Sequence, residues 1–166
     1  MTIRRRPLAL LGLAAAGVGG LLWQLQALPE TPAIDYVLLD GKAASSAQWR
    51  GRVMLVNFWA TSCTSCVKKM PMLISTHLRY KEQGFDTLAV AMQYDPPAFV
   101  AQFAASRQLP FGVAIDNQGH IAHAFGGVTA TPTTLLIDRQ GRIHQRLLGE
   151  IEEARLHQLI EGLLAG

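Results

Sequence analysis

Cys63 and Cys66 stand three positions apart and are the only cysteines in a chain of 166 residues. A C-x-x-C pair offers three chemistries: a redox-active dithiol, half of a metal site, or a short structural disulfide. Its neighbourhood separates them. The run Val53–Trp59 (VMLVNFW) just before the pair is continuously apolar and of strand length, and a helical pattern follows it. The pair therefore falls where a buried strand hands over to a helix. A helix amino terminus presents unpaired N–H groups and a partial positive charge, and both favour thiolate over thiol at Cys63. Cys66, one turn on, faces the same side and lies deeper, placed to attack a mixed disulfide formed at Cys63. A staple across two residues would remove almost no chain entropy. Zinc would need two further ligands, and the spaced histidines His120 and His123 fit neither the spacing nor the distance that zinc modules use. Two unrelated buried cysteines would not need this placement. The pair reads as a dithiol–disulfide couple, with no metal or organic cofactor implied.

The elements that must position this couple follow from periodicity and turn signals. Strands are expected at residues 34–39, 53–59, 86–93, 111–115, 133–138 and 142–148, the last two forming a hairpin about Asp138-Arg139-Gln140-Gly141. Helices are expected at 46–50, with Ser45 or Ser46 as cap, at 63–83, from Pro96-Pro97 to about Arg107 with Asp95 as cap, at 120–125 and at 151–164. Gly84 should end the long helix, and Pro71 should kink it. Alternating strands and helices predict an α/β fold, and the final hairpin makes its central sheet mixed. Met54, Met70, Met72 and Met92 are read as core filling, and His77, His144 and His157 as single surface residues.

Charge placement says more than charge total. Three of the 15 basic residues, Arg4, Arg5 and Arg6, stand together, and the remaining 12 match the 12 acidic ones. No basic face is left for nucleic acid. Charged residues at 16% against 49% hydrophobic exclude a disordered chain. Behind the arginines, residues 7–23 form an apolar run of 17 residues, at the lower limit for a membrane span. Small residues do not stand where a cleavage site wants them, so we read the segment as an uncleaved anchor rather than a signal peptide. Arginines before the run put the amino terminus in the cytoplasm and the rest outside. The expected organisation is an anchor over residues 1–28, a Pro-containing linker over 29–33 and one domain over 34–166, a single-pass inner-membrane protein facing the periplasm.

Phe58-Trp59-Ala60-Thr61-Ser62-Cys63-Thr64-Ser65-Cys66 followed by Met70-Pro71, with Thr131-Pro132-Thr133-Thr134 far downstream, resembles the two signatures of thioredoxin-like proteins. The tethered layout and Asn57-Phe58-Trp59-Ala60-Thr61 resemble the TlpA/ResA-type thiol–disulfide oxidoreductases of bacterial membranes. The resemblance implies a thioredoxin-like fold and a redox-active Cys63–Cys66 disulfide. It implies a cis bond before Pro132, Thr131 offering its backbone to an extended substrate strand, and Trp59 packed beside the site. An ordinary turn proline is the alternative for Pro132. Substrates would be proteins carrying disulfides, such as apocytochrome c or oxidase copper-site subunits. A membrane thiol transporter would donate electrons to a monomeric domain. Three departures stand out. Asn57 replaces the proton-accepting aspartate of thioredoxin, as it often does in TlpA-like proteins. Ser62 replaces a tryptophan common in relatives. Lys69 stands where several tethered reductases carry glutamate; a cation there would favour thiolate, although a solvated lysine on the outer helix face is the simpler reading. The hydroxyls of Thr64 and Ser65 could also stabilise the Cys63 thiolate. Rival functions are a disulfide oxidase or isomerase of secreted proteins and, from another class, a Cu(I)-binding chaperone. A peroxidase would need an arginine pocket that the sequence does not reveal.

Overall fold

The structure is a computed structural model that describes residues 28–166. The expected anchor lies, but for its last residue, outside the described residues. Among those described, no helix is long and apolar enough to cross a membrane.

Strand β3 (Val53–Trp59) is the centre, and all seven of its residues are buried. Strand side chains alternate between faces. Val53, Leu55 and Trp59 join one apolar cluster, and Met54, Val56 and Phe58 join the other. Both faces need cover, and the chain supplies it. Helix α1 (Thr64–Tyr80) and the carboxy-terminal α4 (Glu153–Ala165) bury Cys66, Met70, Leu73, Leu156 and Ile160 against the first face. Helix α3 (His120–Ala124), with Ile34, Trp49, Phe125 and Val128, covers the second. Helix α2 (Pro97–Ser106) adds Val100 and Phe103 to the first cluster.

The five-stranded sheet runs β5 (Gly112–Ile115), β4 (Phe85–Ala91), β3, β6 (Thr133–Ile137), β7 (Ile143–Leu148). β4 lies parallel to β3 and to β5, and β6 antiparallel to β3 and β7, so the sheet is mixed as the sequence predicts. Helix α1 runs through Pro71 without interruption, and Gly84 (φ 87°) closes the turn after it in the left-handed region open to glycine. The hairpin turn at Asp138 is held by its own carboxylate, which accepts from the backbone N–H of Gln140 and Arg142. Where α1 crosses α4, Tyr80 donates to Glu161, and burial beside that carboxylate pushes the phenol up to about 12.

Several expectations are corrected. The strand foreseen at 34–39 is limited to β1 (Asp35–Val37), which pairs with an unforeseen β2 (Ala43–Ser45) in a separate two-stranded sheet. Such short mixed-polarity strands carry no periodic signal. The linker residues are not free of the domain: Ile143 N–H donates to Pro29 O at 2.7 Å, and Thr31 N–H to Gly141 O at 2.8 Å. Asp95 does not cap α2, whose cap is Pro96. Met54, Met70 and Met92 are core residues, and Met72 packs at the core's edge. His144 is exposed, but His157 is half-buried with Nε2 3.0 Å from Thr76 Oγ1.

His77 is the larger correction, being buried rather than on the surface. Its Nδ1 lies 3.3 Å from Thr87 Oγ1 and 3.9 Å from Asp86 Oδ1, and Phe111 packs edge-on against the ring. Burial holds its pKa below the ordinary 6.5, against the pull of Asp86. A base with a lowered folded pKa contributes stability that is present above its unfolded value and is lost as pH falls through the folded one. The protein should therefore lose stability between about pH 7.5 and about pH 5, and His77→Gln should flatten that loss. Urea midpoints at the two pH values measure it; an equal loss in both proteins contradicts the assignment.

Candidate active site

β3 ends at Trp59, and Ala60-Thr61-Ser62 carries the chain to Cys63. Cys63 is the residue that caps α1: its backbone is extended (φ −86°, ψ 100°), and its Sγ accepts from Cys66 N–H at 3.2 Å. The sulfur thus occupies the place where a capping oxygen normally sits, at the positive end of a helix of 17 residues. Cys63 is half-buried and opens onto a cleft, whereas Cys66 is 2% exposed beneath it. The two sulfurs are bonded, with Cα atoms 5.2 Å apart. A disulfide sulfur has no proton to give, so Ser65 Oγ, at 3.5 Å, is the donor toward Cys63. Thr64 is exposed and lines the cleft without such a contact.

Sheet register brings the second signature to the first. β6 is antiparallel to β3, with Phe58 opposite Thr133, so the start of β6 lies beside the end of β3. The Thr131–Pro132 peptide is cis, as the resemblance implies. Pro132 is buried, and its carbonyl accepts from Gly149 N–H at 2.8 Å. Among the described residues, neither backbone group of Thr131 enters a backbone hydrogen bond. Thr131 lines the same cleft as Cys63, along with Lys68, Tyr94 and Glu150. A larger groove, of about 780 Å³, runs beside the β1–β2 hairpin and does not include the cysteines.

Other expected residues take distinct places. Trp59 is fully buried in the cluster that contains Cys66, tilted against Phe103 at 5.1 Å, and among the described residues its Nε1–H has no partner. Asn57, on the same face of β3, accepts through Oδ1 from Thr134 Oγ1 at 3.2 Å. Lys69 is not a free cation: its Nζ is 3.6 Å from Glu150 Oε2, and its side chain is 24% exposed. Lys68, the neighbour on the exposed face, lines the cleft instead.

Asp95 acts as a clamp between loops, not as the helix cap that its sequence position suggests. It is 2% exposed, and its carboxylate accepts both the Thr61 N–H, at 2.6 Å, and the Thr61 hydroxyl. The loop after β4 thereby clamps the loop that presents Cys63. An aspartate before two prolines at a helix start signals a cap, and only tertiary contact distinguishes a clamp from it.

The Redoxin family model matches residues 27–160. The chain belongs to the Redoxin family, in its ResA/TlpA-type thioredoxin-like branch. The thiol-disulfide oxidoreductase ResA of Geobacillus thermodenitrificans is 33% identical over 131 residues, covering 78% of this chain and 74% of that one. ResA of Bacillus thuringiensis subsp. konkukian is 33% identical over 132 residues, with coverage of 80% and 75%. Among solved structures, a candidate thioredoxin from Neisseria meningitidis superposes with a TM-score of 0.78 at 37% identity, covering 83% of this chain and 92% of that one. A thiol:disulfide interchange protein from Chlorobium tepidum gives 0.77 at 24% identity, covering 83% and 97%, which speaks for the fold alone. This ResA-type domain is a thiol–disulfide oxidoreductase that works by dithiol–disulfide exchange, and its C-x-x-C pair is Cys63–Cys66.

Two outcomes follow from the geometry. After reduction, iodoacetamide near neutral pH should alkylate Cys63 well before Cys66, as read by peptide mass mapping; equal labelling contradicts the burial difference. Asp95→Ala leaves a backbone N–H of the thiol loop without its acceptor and should cost about 1–3 kcal/mol in urea unfolding.

Proposed function

We propose that the protein is a periplasm-facing, membrane-tethered disulfide reductase. The observation that carries the reading is the juxtaposition of a cleft-facing Cys63 at a helix cap with Thr131, whose backbone enters no backbone hydrogen bond among the described residues, over a buried Cys66. The arginine triplet and the apolar run behind it support the tether and its orientation. A substrate segment lies extended along Thr131, pairing with its N–H and C=O. Pro132, lacking an N–H, shields the sulfurs, and Trp59 backs the site.

In the reduced domain the Cys63 thiolate attacks one sulfur of the substrate disulfide. The substrate S–S bond breaks, a Cys63–substrate bond forms, and one substrate thiolate leaves. The Cys66 thiolate then attacks Cys63 Sγ, forms the intramolecular disulfide and releases the second substrate thiolate. Two electrons pass to the substrate, and its two thiolates are protonated. The Cys66 N–H and Ser65 hydroxyl stabilise the Cys63 thiolate before attack, and again when a donor dithiol releases it during regeneration. Regeneration needs a dithiol donor. A membrane thiol transporter fits the tether, and apocytochrome c or oxidase copper-site cysteines fit as substrates of this branch.

The two donors on Cys63 also favour a second reading, in which the couple runs in reverse as an oxidase or isomerase of secreted proteins. Stabilising the thiolate makes the disulfide more oxidising. A potential well below that of glutathione supports the reductase, and one near the strong oxidants supports the reverse.

Cys66→Ala should trap mixed disulfides through Cys63 in intact cells and so name the substrates, while Cys63→Ala should abolish insulin reduction. No trapped partner, together with insulin reduction unaffected by Cys63→Ala, would sink the mechanism.

A further inference from the structure

Among the described residues, the cleft over Cys63 contains one aromatic side chain, Tyr94, from the loop after β4. Tyr94 is 55% exposed, so much of its ring stands in solvent. It is nevertheless held in place. Its Oη lies 3.3 Å from Thr131 Oγ1, which ties the tip of the ring to the residue before the cis bond. Its base is fixed from both sides of the loop: Met92 N–H donates to Trp59 O at 3.0 Å, and the Asp95 carboxylate grips Thr61. Ser62, exposed on the same cleft, is too small to fill the space beside Cys63. The charged residues on the cleft are Lys68 and Glu150, and Glu150 is already paired with Lys69.

A pre-positioned ring with wet apolar area gains free energy when covered and loses little side-chain freedom on binding. We propose that Tyr94 is a specificity-determining residue. It packs against an apolar or aromatic side chain within two positions of the cysteine in an extended polypeptide whose backbone lies along Thr131. The inference rests on the exchange reading above. It adds a substrate class: disulfides whose cysteine has an apolar neighbour, over those with small polar neighbours.

The test uses the reduced full-length protein and two synthetic peptides. Each has one cysteine joined by a disulfide to glutathione, flanked by phenylalanine in one and by serine in the other. The reaction yields the protein disulfide, the peptide thiol and glutathione. Wild type should favour the phenylalanine peptide in kcat/KM by about tenfold or more, carried mainly by KM. Tyr94→Ala should erase that preference, and Tyr94→Phe, which keeps the ring, should retain most of it. Equal rates for the two peptides in wild type, or a preference that survives Tyr94→Ala, overturns the inference. Failure of wild type to reduce 2-hydroxyethyl disulfide overturns the exchange reading and this inference together. Reduction of that small disulfide without any peptide preference overturns the role of Tyr94 alone.

Discussion

The site depends on a strand that water cannot reach from either side. Each residue of β3 is buried, and β4 and β6 occupy both its edges. Seven buried side chains fix the register of such a strand, because a slip of one residue would move each to the opposite face. The end of β3 therefore has one place in the molecule, and the cysteine loop starts there. The parallel neighbour, β4, ends on the same side and brings Asp95 to Thr61. The antiparallel neighbour, β6, begins on that side and brings Thr131 and Pro132 to the cleft. Three segments remote in sequence meet because one strand is parallel to β3 and the other antiparallel.

Within that frame the two cysteines are made unequal by depth rather than by different chemistry. Cys63 caps the helix and opens onto the cleft, while Cys66, three residues along, is sealed into the apolar cluster of Trp59 and Met70. Burial disfavours a thiolate at Cys66, and the capping position favours one at Cys63. Asn57, on the Cys66 side of β3, is bonded to Thr134 and carries no exchangeable charge. A proton leaving Cys66 must then pass to the departing substrate thiolate or to solvent through the cleft. Lys69, the obvious candidate for perturbing the pair, has its charge engaged with Glu150.

Much of this was legible in the sequence because the signals are local. A seven-residue apolar run announces β3, the adjoining C-x-x-C announces the helix start, and a turn at Asp138–Gly141 announces the last hairpin. What escaped reading depends on contacts across the sheet. Asp95 looks like a cap because the residues beside it suit a helix start, yet its carboxylate bonds a residue 34 positions away. His77 stands alone on the sequence but lands at the face where α1 meets Phe85 and Phe111. Lys69 reads as solvated because its partner, Glu150, lies on the far side of the hairpin. β2 has three residues of no clear pattern, and pairing with β1 alone makes it a strand.

The segment from Met92 to Asp95 shows how closely the parts of the site are coupled. Met92 holds the carbonyl of Trp59 at the exit of β3, Asp95 holds Thr61 in the thiol loop, and Tyr94 between them reaches Thr131. Three of four consecutive residues thus touch the strand end, the nucleophile loop and the cis-proline loop. Asp95 points inward and is sealed, while Tyr94 points outward and is wet. The inward contact is already made in the domain alone. The outward ring has wet apolar area that an incoming chain would cover. A bound chain that presses on Tyr94 therefore bears on the loop that sets the position of Cys63. Substrate fit and thiol placement share one support, and neither can shift far without the other.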